Sequence, residues 1–160
     1  MINLKNQVYL DGRVIYILAR FHFLNVVLFD NFLSHDECLK LMTYSKGVKD
    51  GFLIESIEKR IKEFLSLDVC NIRLSVSEVL EFPLPVDESQ IRNNKHTVVI
   101  HLNDIHEGGE IVFPGSDLSI VQRKGSGFVL SNYDKFSKNK SFTHRTPKSK
   151  SKLFLLIEIE

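Results

Sequence analysis

The sequence predicts a mainly β fold in which two helices, both in the N-terminal half, pack outside an antiparallel sandwich or barrel. Helical patterns are confined to residues 34–67. From Ile72 onward the hydrophobic period is two, and short strand-like segments are separated by glycine-containing turns. Because strands and helices do not alternate along the chain, we expect an α+β arrangement and no βαβ repeat.

Length and composition predict a single domain over residues 1–160, with helical support at about 34–67 and a β core at about 72–160. Of the 160 residues, 43% are hydrophobic and 26% are charged, which is ordinary for a globular protein. The net charge of +1 gives no overall attraction to nucleic acid or to a membrane. The two cysteines match no metal-binding spacing, and the first residues do not resemble a secretory signal. We therefore expect a cytoplasmic, intracellular protein with reduced thiols.

The first elements are three predicted strands. Residues 7–10 and 13–18 flank Asp11-Gly12, which is a two-residue hairpin signal. A third strand is predicted over residues 23–29, a segment rich in valine and phenylalanine.

Two helices follow. Ser34 with Glu37 three residues later forms a capping box, which predicts a helix over residues 35–44. A second helix is predicted over residues 52–67, where the apolar side chains recur on one helical face. These are Ile54, Ile57, Ile61, Phe64 and Leu65.

The rest of the chain is predicted to be strands. Ile72, Leu74 and Val76 alternate with polar residues, as in a half-buried strand. Further strands are predicted over residues 97–102, 110–113, 118–122, 127–130 and 153–159. Turns are predicted at Gly108-Gly109, Pro114-Gly115 and Lys124-Gly125.

Several segments, in the same order and spacing, resemble prolyl 4-hydroxylase-like proteins. They are residues 31–38 at the helix entry, 97–104 and 107–114 around Glu-Gly-Gly-Glu, 121–130 with its lysine-glycine turn, and 144–147 followed by Lys152. The resemblance implies the double-stranded β-helix (jelly-roll, cupin-like) core of the Fe(II)/2-oxoglutarate dioxygenases. It also implies an oxidoreductase that couples decarboxylation of 2-oxoglutarate to hydroxylation of a protein side chain, with prolyl as the default and ascorbate as a further cofactor.

The resemblance also implies site residues. His144 stands where the distal iron ligand belongs, Lys152 where a cation pairs with 2-oxoglutarate, and Asp87 where the motif carboxylate belongs. Pro85 occupies the place of the first metal histidine and cannot bind a metal. Ile100 lies near a position where some prolyl hydroxylases place a tyrosine hydroxyl against 2-oxoglutarate, and it cannot donate that hydrogen bond.

Three outcomes remain open for this incomplete triad. The protein is a pseudoenzyme without a working iron centre, or His96 or His101 supplies a third ligand, or two protein ligands and water hold iron weakly. His96 shares strand parity with Ile100, so it points inward if Ile100 does, unless it lies solvated at the start of the strand. His101 has the opposite parity, and we expect it on the outer face.

The partner is expected to be a protein or peptide, as a substrate or, for a pseudoenzyme, bound in the old substrate groove. No apolar run is long enough to cross a membrane. Residues 132–152 form a basic stretch with one acid, Asp134. The stretch is either a solvated loop or a contact for an acidic partner. Nucleic-acid binding through residues 135–152 is the third interpretation, and it predicts an affinity that falls steeply with salt.

Overall fold

The computed structural model describes residues 7–10, 12–21, 26–46, 51–68, 71–77, 96–104, 111–112, 119–121, 123–131, 143–144 and 153–159. The predicted turns at Gly108-Gly109 and Pro114-Gly115 lie outside these residues, and so does the basic stretch except for residues 143–144. Among the described helices, none is long and apolar enough to cross a membrane.

The N-terminal half folds much as its sequence predicts. Strands β1 (Gln7–Leu10), β2 (Arg13–Phe21) and β3 (Val26–Asp30) precede helix α1 (His35–Met42), a 3-10 turn (Thr43–Lys46) and helix α2 (Gly51–Leu65). Gly12 has a φ of 74° in the β1–β2 turn, a backbone conformation that glycine adopts without strain. The capping box is confirmed, because Ser34 Oγ accepts from Glu37 N–H and the Glu37 carboxylate accepts from Ser34 N–H.

The C-terminal half consists of strands. They are β4 (Ile72–Ser77), β5 (His96–His101), β6 (Ile111–Val112), β7 (Ser119–Ile120), β8 (Gly127–Ser131), β9 (Thr143–His144) and β10 (Phe154–Ile159). The two-residue strand β9 was not predicted. The fold is therefore mostly antiparallel β-sheet with two helices, as the sequence predicts.

The strands form two sheets. The large sheet has seven strands in the order β1-β2-β3-β8-β5-β10-β4, and the small sheet has three in the order β7-β6-β9. All the recorded strand pairs are antiparallel. Central strands of the large sheet come from both halves of the chain, since β3 pairs with β8 and β8 pairs with β5.

The main hydrophobic core lies between the helices and one face of the large sheet, which we call the helix face. Phe29 of β3, Phe32 of the following loop and Phe64 of α2 are fully buried there. Their ring centroids are 5.3–5.7 Å apart in tilted and edge-on arrangements, which aromatic pairs prefer. Val98, Ile100 and Ile157 join the same cluster from β5 and β10.

A second buried surface lies on the opposite side of the large sheet. We call it the second face, and its members are Thr97, Val99, His101, Phe128 and Phe154, none of which is more than 5% exposed. These residues alternate along their strands with members of the main core, so they point away from the helices. The central strands are thus buried on both sides.

The outermost strands leave part of the sheet exposed. Tyr9 of β1 is 72% exposed, and Tyr16 and Leu18 of β2 are 43% and 61% exposed. Leu18 lies at a β-bulge, where the register of β2 against β3 shifts between Ile17 and Ala19. We call these three residues the exposed apolar patch.

A buried ion pair joins the two helices. Arg60 of α2, 3% exposed, donates to both carboxylate oxygens of Glu37 in α1 and to the carbonyl oxygen of Phe32. Burial opposes ionisation of Glu37, but hydrogen bonds from Arg60 and Ser34, together with the positive charge of Arg60, lower its pKa below the ordinary 4.5. The guanidinium also lies 5.8 Å from the Phe32 ring centroid.

Cys38 lies on the core side of α1 and is fully buried. Burial raises the pKa of its thiol to about 11. The folded protein therefore keeps this sulfur protonated and away from solvent at neutral pH.

Candidate functional site

Three polar side chains are buried in or beside the central strands of the large sheet: two belong to the second face, and the third, Ser126, lies just before β8. His101 is 0% exposed, Thr97 is 5% and Ser126 is 7%. Burial of a polar side chain carries a desolvation cost, which hydrogen bonds or another role of that side chain must offset.

The backbone of His101 is fixed on both sides. Its N–H donates to the Ser126 carbonyl at 2.8 Å, and its carbonyl accepts from Gly125 N–H at 2.8 Å. On the other side, Phe154 of β10 is its register partner, and the two ring centroids are 6.1 Å apart. His101 is therefore held between β8 and β10 at the C-terminal end of β5.

The expectation that His101 lies on an outer face is wrong. Alternation separates the residues of a strand into two sets, but it does not say whether the second set is also covered. Residues 98–100 are three consecutive apolar residues, Val-Val-Ile, and such a run is typical of a strand buried on both faces. That signal was available in the sequence.

Ile100 belongs to the helix face, where it is fully buried in the main core. The neighbouring His101 is the residue that β5 presents to the second face. The polar side chain at this end of β5 is thus that of His101, and it lies on the face opposite Ile100.

His96 shares its face with Val98 and Ile100, as its parity predicts. It is the first residue of β5, is half-buried, and pairs in register with Ile159 of β10. His96 and His101 therefore lie on opposite faces of the same strand.

The residues after β5 tie three elements together. The Asn103 side chain accepts from Leu153 N–H at 3.1 Å, just before β10, and Asp104 accepts from Lys124 N–H at 2.8 Å, just before β8. The Leu102-Asn103-Asp104 segment of the resemblance therefore has a structural role, which is to fix the end of β5 against β8 and β10.

The turn before β8 depends on glycine. Gly125 has a φ of 82°, and a Cβ there would lie 2.6 Å from the Leu33 carbonyl oxygen. At Gly127 a Cβ would overlap the carbonyl of Val99 on the neighbouring strand. Both glycines allow the close approach that places Ser126 beside His101.

Two acidic side chains on central strands of the large sheet pair with arginines. Asp30, at the end of β3, lies 3.6 Å from Arg123, and Glu158 of β10 lies 2.7 Å from Arg73 of β4. In register, Glu158 pairs with Thr97, so it lies on the side of the sheet that carries the second face.

The predicted iron and cosubstrate residues fall largely outside the described part of the chain. Asp87, Pro85 and Lys152 lie outside it. His144 is in β9, where its backbone pairs with Ile111 of β6. Within the residues that the structure describes, no three His, Cys, Asp or Glu side chains form a group that could hold a metal ion. The three-residue iron site thus stays a prediction.

A separate hollow of about 450 Å³ lies along the polar side of α2, and charged residues line most of it. Its lining includes Glu55, Glu58, Lys59 and Lys62. With Glu63 and Asp68, four carboxylates face two lysines there, so the lining has a formal net charge of −2 and does not favour an anion.

No family model and no curated protein matches the sequence. Among solved structures, the chain is similar to viral collagen prolyl hydroxylase from Paramecium bursaria Chlorella virus-1 in its 2OG complex. The TM-score is 0.64 at 20% identity, over 84% of this chain and 95% of that one.

Two further structures have similar folds. A truncated form of the same viral enzyme gives a TM-score of 0.66 at 21% identity, over 84% of this chain and 89% of that one. A prolyl-4-hydroxylase from Pseudomonas putida gives 0.50 at 12% identity, over 85% and 92%. The sequence resemblance to prolyl 4-hydroxylase-like proteins is thereby confirmed at the level of the fold.

Proposed function

We propose that this chain is an Fe(II)/2-oxoglutarate-dependent dioxygenase of the prolyl hydroxylase type, whose catalysis is impaired by the loss of the first metal histidine. The observation that carries the proposal is the similarity of fold, over 84% of the chain, to a prolyl hydroxylase in complex with 2OG. The sequence motifs of residues 97–104 and 121–130 support it, since they build the second face. We further propose that the two sheets close into a double-stranded β-helix.

Each proposed role follows from the chemistry of the side chain. Asp87 and His144 would hold iron through a carboxylate and an imidazole, both of which suit Fe(II). His96, the third ligand considered from the sequence, shares the helix face with Val98 and Ile100, so it lies on the side of β5 away from the second face and is left out of this set. Lys152 would neutralise the far carboxylate of 2-oxoglutarate. The apolar residues of the second face would keep water out of the reacting volume.

The bound iron and 2-oxoglutarate would supply the oxidising chemistry. Overall, one O₂ would be consumed: one oxygen atom would enter a C–H bond of the substrate, and the other would end in the succinate formed when 2-oxoglutarate loses CO₂. The protein's contribution is to bind the two small molecules, to orient a protein or peptide side chain, and to exclude water.

A pseudoenzyme that binds a protein or peptide is the second candidate. Pro85 at the place of a metal ligand favours it, because proline has no lone pair to donate to iron. The exposed apolar patch of Tyr9, Tyr16 and Leu18 also favours it, since exposed aromatic side chains are common in binding surfaces. Both candidates share the fold and differ in whether iron and 2-oxoglutarate bind.

An anaerobic titration distinguishes the two candidates. Purified protein is mixed with Fe(II) and 2-oxoglutarate, and the visible charge-transfer absorption of a chelated 2-oxo acid on iron is recorded. The dioxygenase proposal predicts a band in the wild-type protein and its loss in His144→Ala. His35→Ala is the matched control, because His35 is an exposed histidine on α1.

A band that survives in His144→Ala would contradict the proposed iron site. The absence of a band at saturating iron and 2-oxoglutarate would contradict the dioxygenase proposal. In that case the pseudoenzyme candidate predicts that peptide binding persists without iron and weakens when Tyr9 and Tyr16 are replaced by serine.

A further inference from the structure

We propose that the free edge of β1 pairs antiparallel with β1 of a second copy of this chain, so that two large sheets join in a weak two-fold dimer. The surface is the side of Gln7–Leu10 that faces away from β2. The inference does not depend on the proposed function, because it uses no residue of the candidate site and needs neither iron nor 2-oxoglutarate.

The backbone of β1 has unused hydrogen-bonding groups. The strand lies at one end of the large sheet, and among the described strands it pairs with β2 alone. Leu10 pairs with Arg13 across a two-residue turn, and the closing pair of such a hairpin is hydrogen-bonded. Since hydrogen-bonded and non-hydrogen-bonded pairs alternate, the N–H and C=O groups of Gln7 and Tyr9 point away from β2. These four groups have no strand partner among the described residues.

The side chains of β1 do not block this edge. An unpaired edge strand is a template for a further strand, and proteins usually protect it with charged side chains or proline. The sequence of β1 is Gln-Val-Tyr-Leu, which contains neither, and Tyr9 is 72% exposed. At the other end of the large sheet, β4 carries Arg73, which is 60% exposed. The sheet therefore has one charged edge and one neutral, unprotected edge.

This edge is complementary to itself. An antiparallel pair of identical strands has a two-fold axis, the symmetry of most protein dimers. A register centred on Val8 places Gln7 of each copy opposite Tyr9 of the other, and it uses all four free groups of both strands in four hydrogen bonds. Because β1 carries no charge, no like charges meet across the axis, where they would destabilise the pair. Hydrogen bonding and charge thus both favour a second copy as the partner.

The size of the edge limits the strength of the dimer. Each copy contributes a strand of four residues, with the exposed ring of Tyr9 beside Gln7 of the second copy. Such a contact is smaller than the roughly 1,200 Å² at which specific, stable interfaces begin. We therefore expect a dissociation constant above about 1 μM, so that the dimer forms only in concentrated protein.

Analytical ultracentrifugation of the full chain tests for the dimer. Sedimentation is measured from about 1 to 500 μM, a range that brackets a weak association. We expect the average mass to rise from 18.5 kDa towards twice that value as the concentration increases. A chain that stays monomeric at the highest concentration would overturn the proposal and would leave the edge to a strand of a different protein.

Two variants distinguish the edge of β1 from the neighbouring sheet face. Gln7→Pro removes an outward N–H from each copy, and with it two of the four hydrogen bonds, but none between β1 and β2. It should weaken the dimer at least about tenfold. Tyr16→Ser is the matched control, because Tyr16 is the register partner of Gln7 on β2 and lies away from the edge. Circular dichroism and urea midpoints verify that both variants are folded.

The opposite pattern would contradict edge pairing. A dimer that is lost in Tyr16→Ser and kept in Gln7→Pro would form through the exposed apolar patch of Tyr9, Tyr16 and Leu18, face to face. That result would overturn the proposal even though a dimer exists.

Cross-linking tests the register. Around a two-fold axis at Val8, the two Val8 Cα atoms lie about 4.5 Å apart, which a disulfide can span. In a protein with Cys70→Ser, Val8→Cys should give a reducible covalent dimer on mild oxidation. Leu10→Cys, on the same face of β1, lies four residues out of register with its own copy and should not. Cys38 is buried and does not compete. Equal cross-linking of the two variants would contradict this pairing.

Discussion

The Arg60–Glu37 pair acts at a single point where α1, α2 and the loop after β3 meet. Arg60 contacts both oxygens of one carboxylate and also a backbone carbonyl, so its charge and several of its hydrogen-bond donors are used. Such a bidentate pair is geometrically specific. Removing the guanidinium would leave a mostly buried carboxylate without its main partner.

We predict that Arg60→Ala lowers the free energy of unfolding by about 3 kcal/mol, because a buried carboxylate loses its countercharge. Arg73→Ala is the control, since Arg73 also pairs with a glutamate but is 60% exposed, and its loss should cost less than about 1 kcal/mol. Urea denaturation followed by circular dichroism measures both. Equal losses in the two variants would contradict the importance given to burial.

The same pair predicts sensitivity to acid. The pKa of Glu37 is lower in the folded protein than its ordinary 4.5, so its contribution to stability is complete above pH 4.5 and is lost as the pH falls through the lowered value. We expect the wild-type protein to lose more stability between about pH 5 and pH 3 than Glu37→Gln does. Urea midpoints at each pH give the comparison, and parallel curves would refute the assignment.

At the scale of elements, the turn before β8 depends on two glycines that the sequence shows only as a turn signal. Gly125 supplies a positive φ, whereas Gly127 supplies space between β8 and β5. The second requirement comes from a strand contributed by another part of the chain. No local pattern could therefore reveal it.

We predict that Gly127→Ala lowers the free energy of unfolding by about 3 kcal/mol or more, because the added methyl group displaces the Val99 carbonyl. Gly51→Ala is the control. No heavy atom lies within 4 Å of a Cβ at Gly51, so that change should alter stability by less than about 1 kcal/mol. A Gly127→Ala protein as stable as the wild type would show that β8 and β5 can separate at no cost.

Elements with local signals were predictable from sequence, and those without them were not. The capping box defines the start of α1, and alternation at Ile72, Leu74 and Val76 predicts β4 with its burial pattern. The two-residue strand β9 has no periodicity, and only its pairing with β6 makes it a strand. Short strands of this kind depend on their partners rather than on their own residues.

The whole molecule is organised around a sheet that is buried on both sides. On the helix face, Phe29, Phe32 and Phe64 join a strand, a loop and a helix in one contact cluster. On the second face, the polar side chains of Thr97 and His101 are buried beside apolar ones. The two sides of the same sheet thus bury different kinds of side chain.

We predict that Phe64→Ala lowers the free energy of unfolding by about 3–5 kcal/mol, as expected for a large cavity in a core. Phe52→Ala, on the same helix, should change it by less than about 0.5 kcal/mol, because Phe52 is 84% exposed. Urea denaturation monitored by circular dichroism measures both variants. Similar losses would mean that α2 does not pack as described.

Of the candidate site, the strand β5 was predictable from the sequence, whereas the burial of its side chains was not. The motif at residues 97–104 predicts the strand, but which side of that strand is covered depends on the rest of the fold. His101 was misplaced for that reason, since its side of β5 is covered rather than exposed. Asp87, His144 and Lys152 remain predictions, because they rest on the resemblance alone.

The buried thiol of Cys38 can be used to detect local opening of the folded protein. An alkylating reagent needs a thiol that is both ionised and accessible. In the folded protein at neutral pH the Cys38 thiol is neither, because the sulfur is buried and its pKa is raised to about 11. In a protein with Cys70 replaced by serine, labelling of the remaining sulfur therefore counts the excursions in which α1 leaves the core. The labelling rate therefore measures how often the helix face opens locally, and mass spectrometry follows it under native conditions without denaturant.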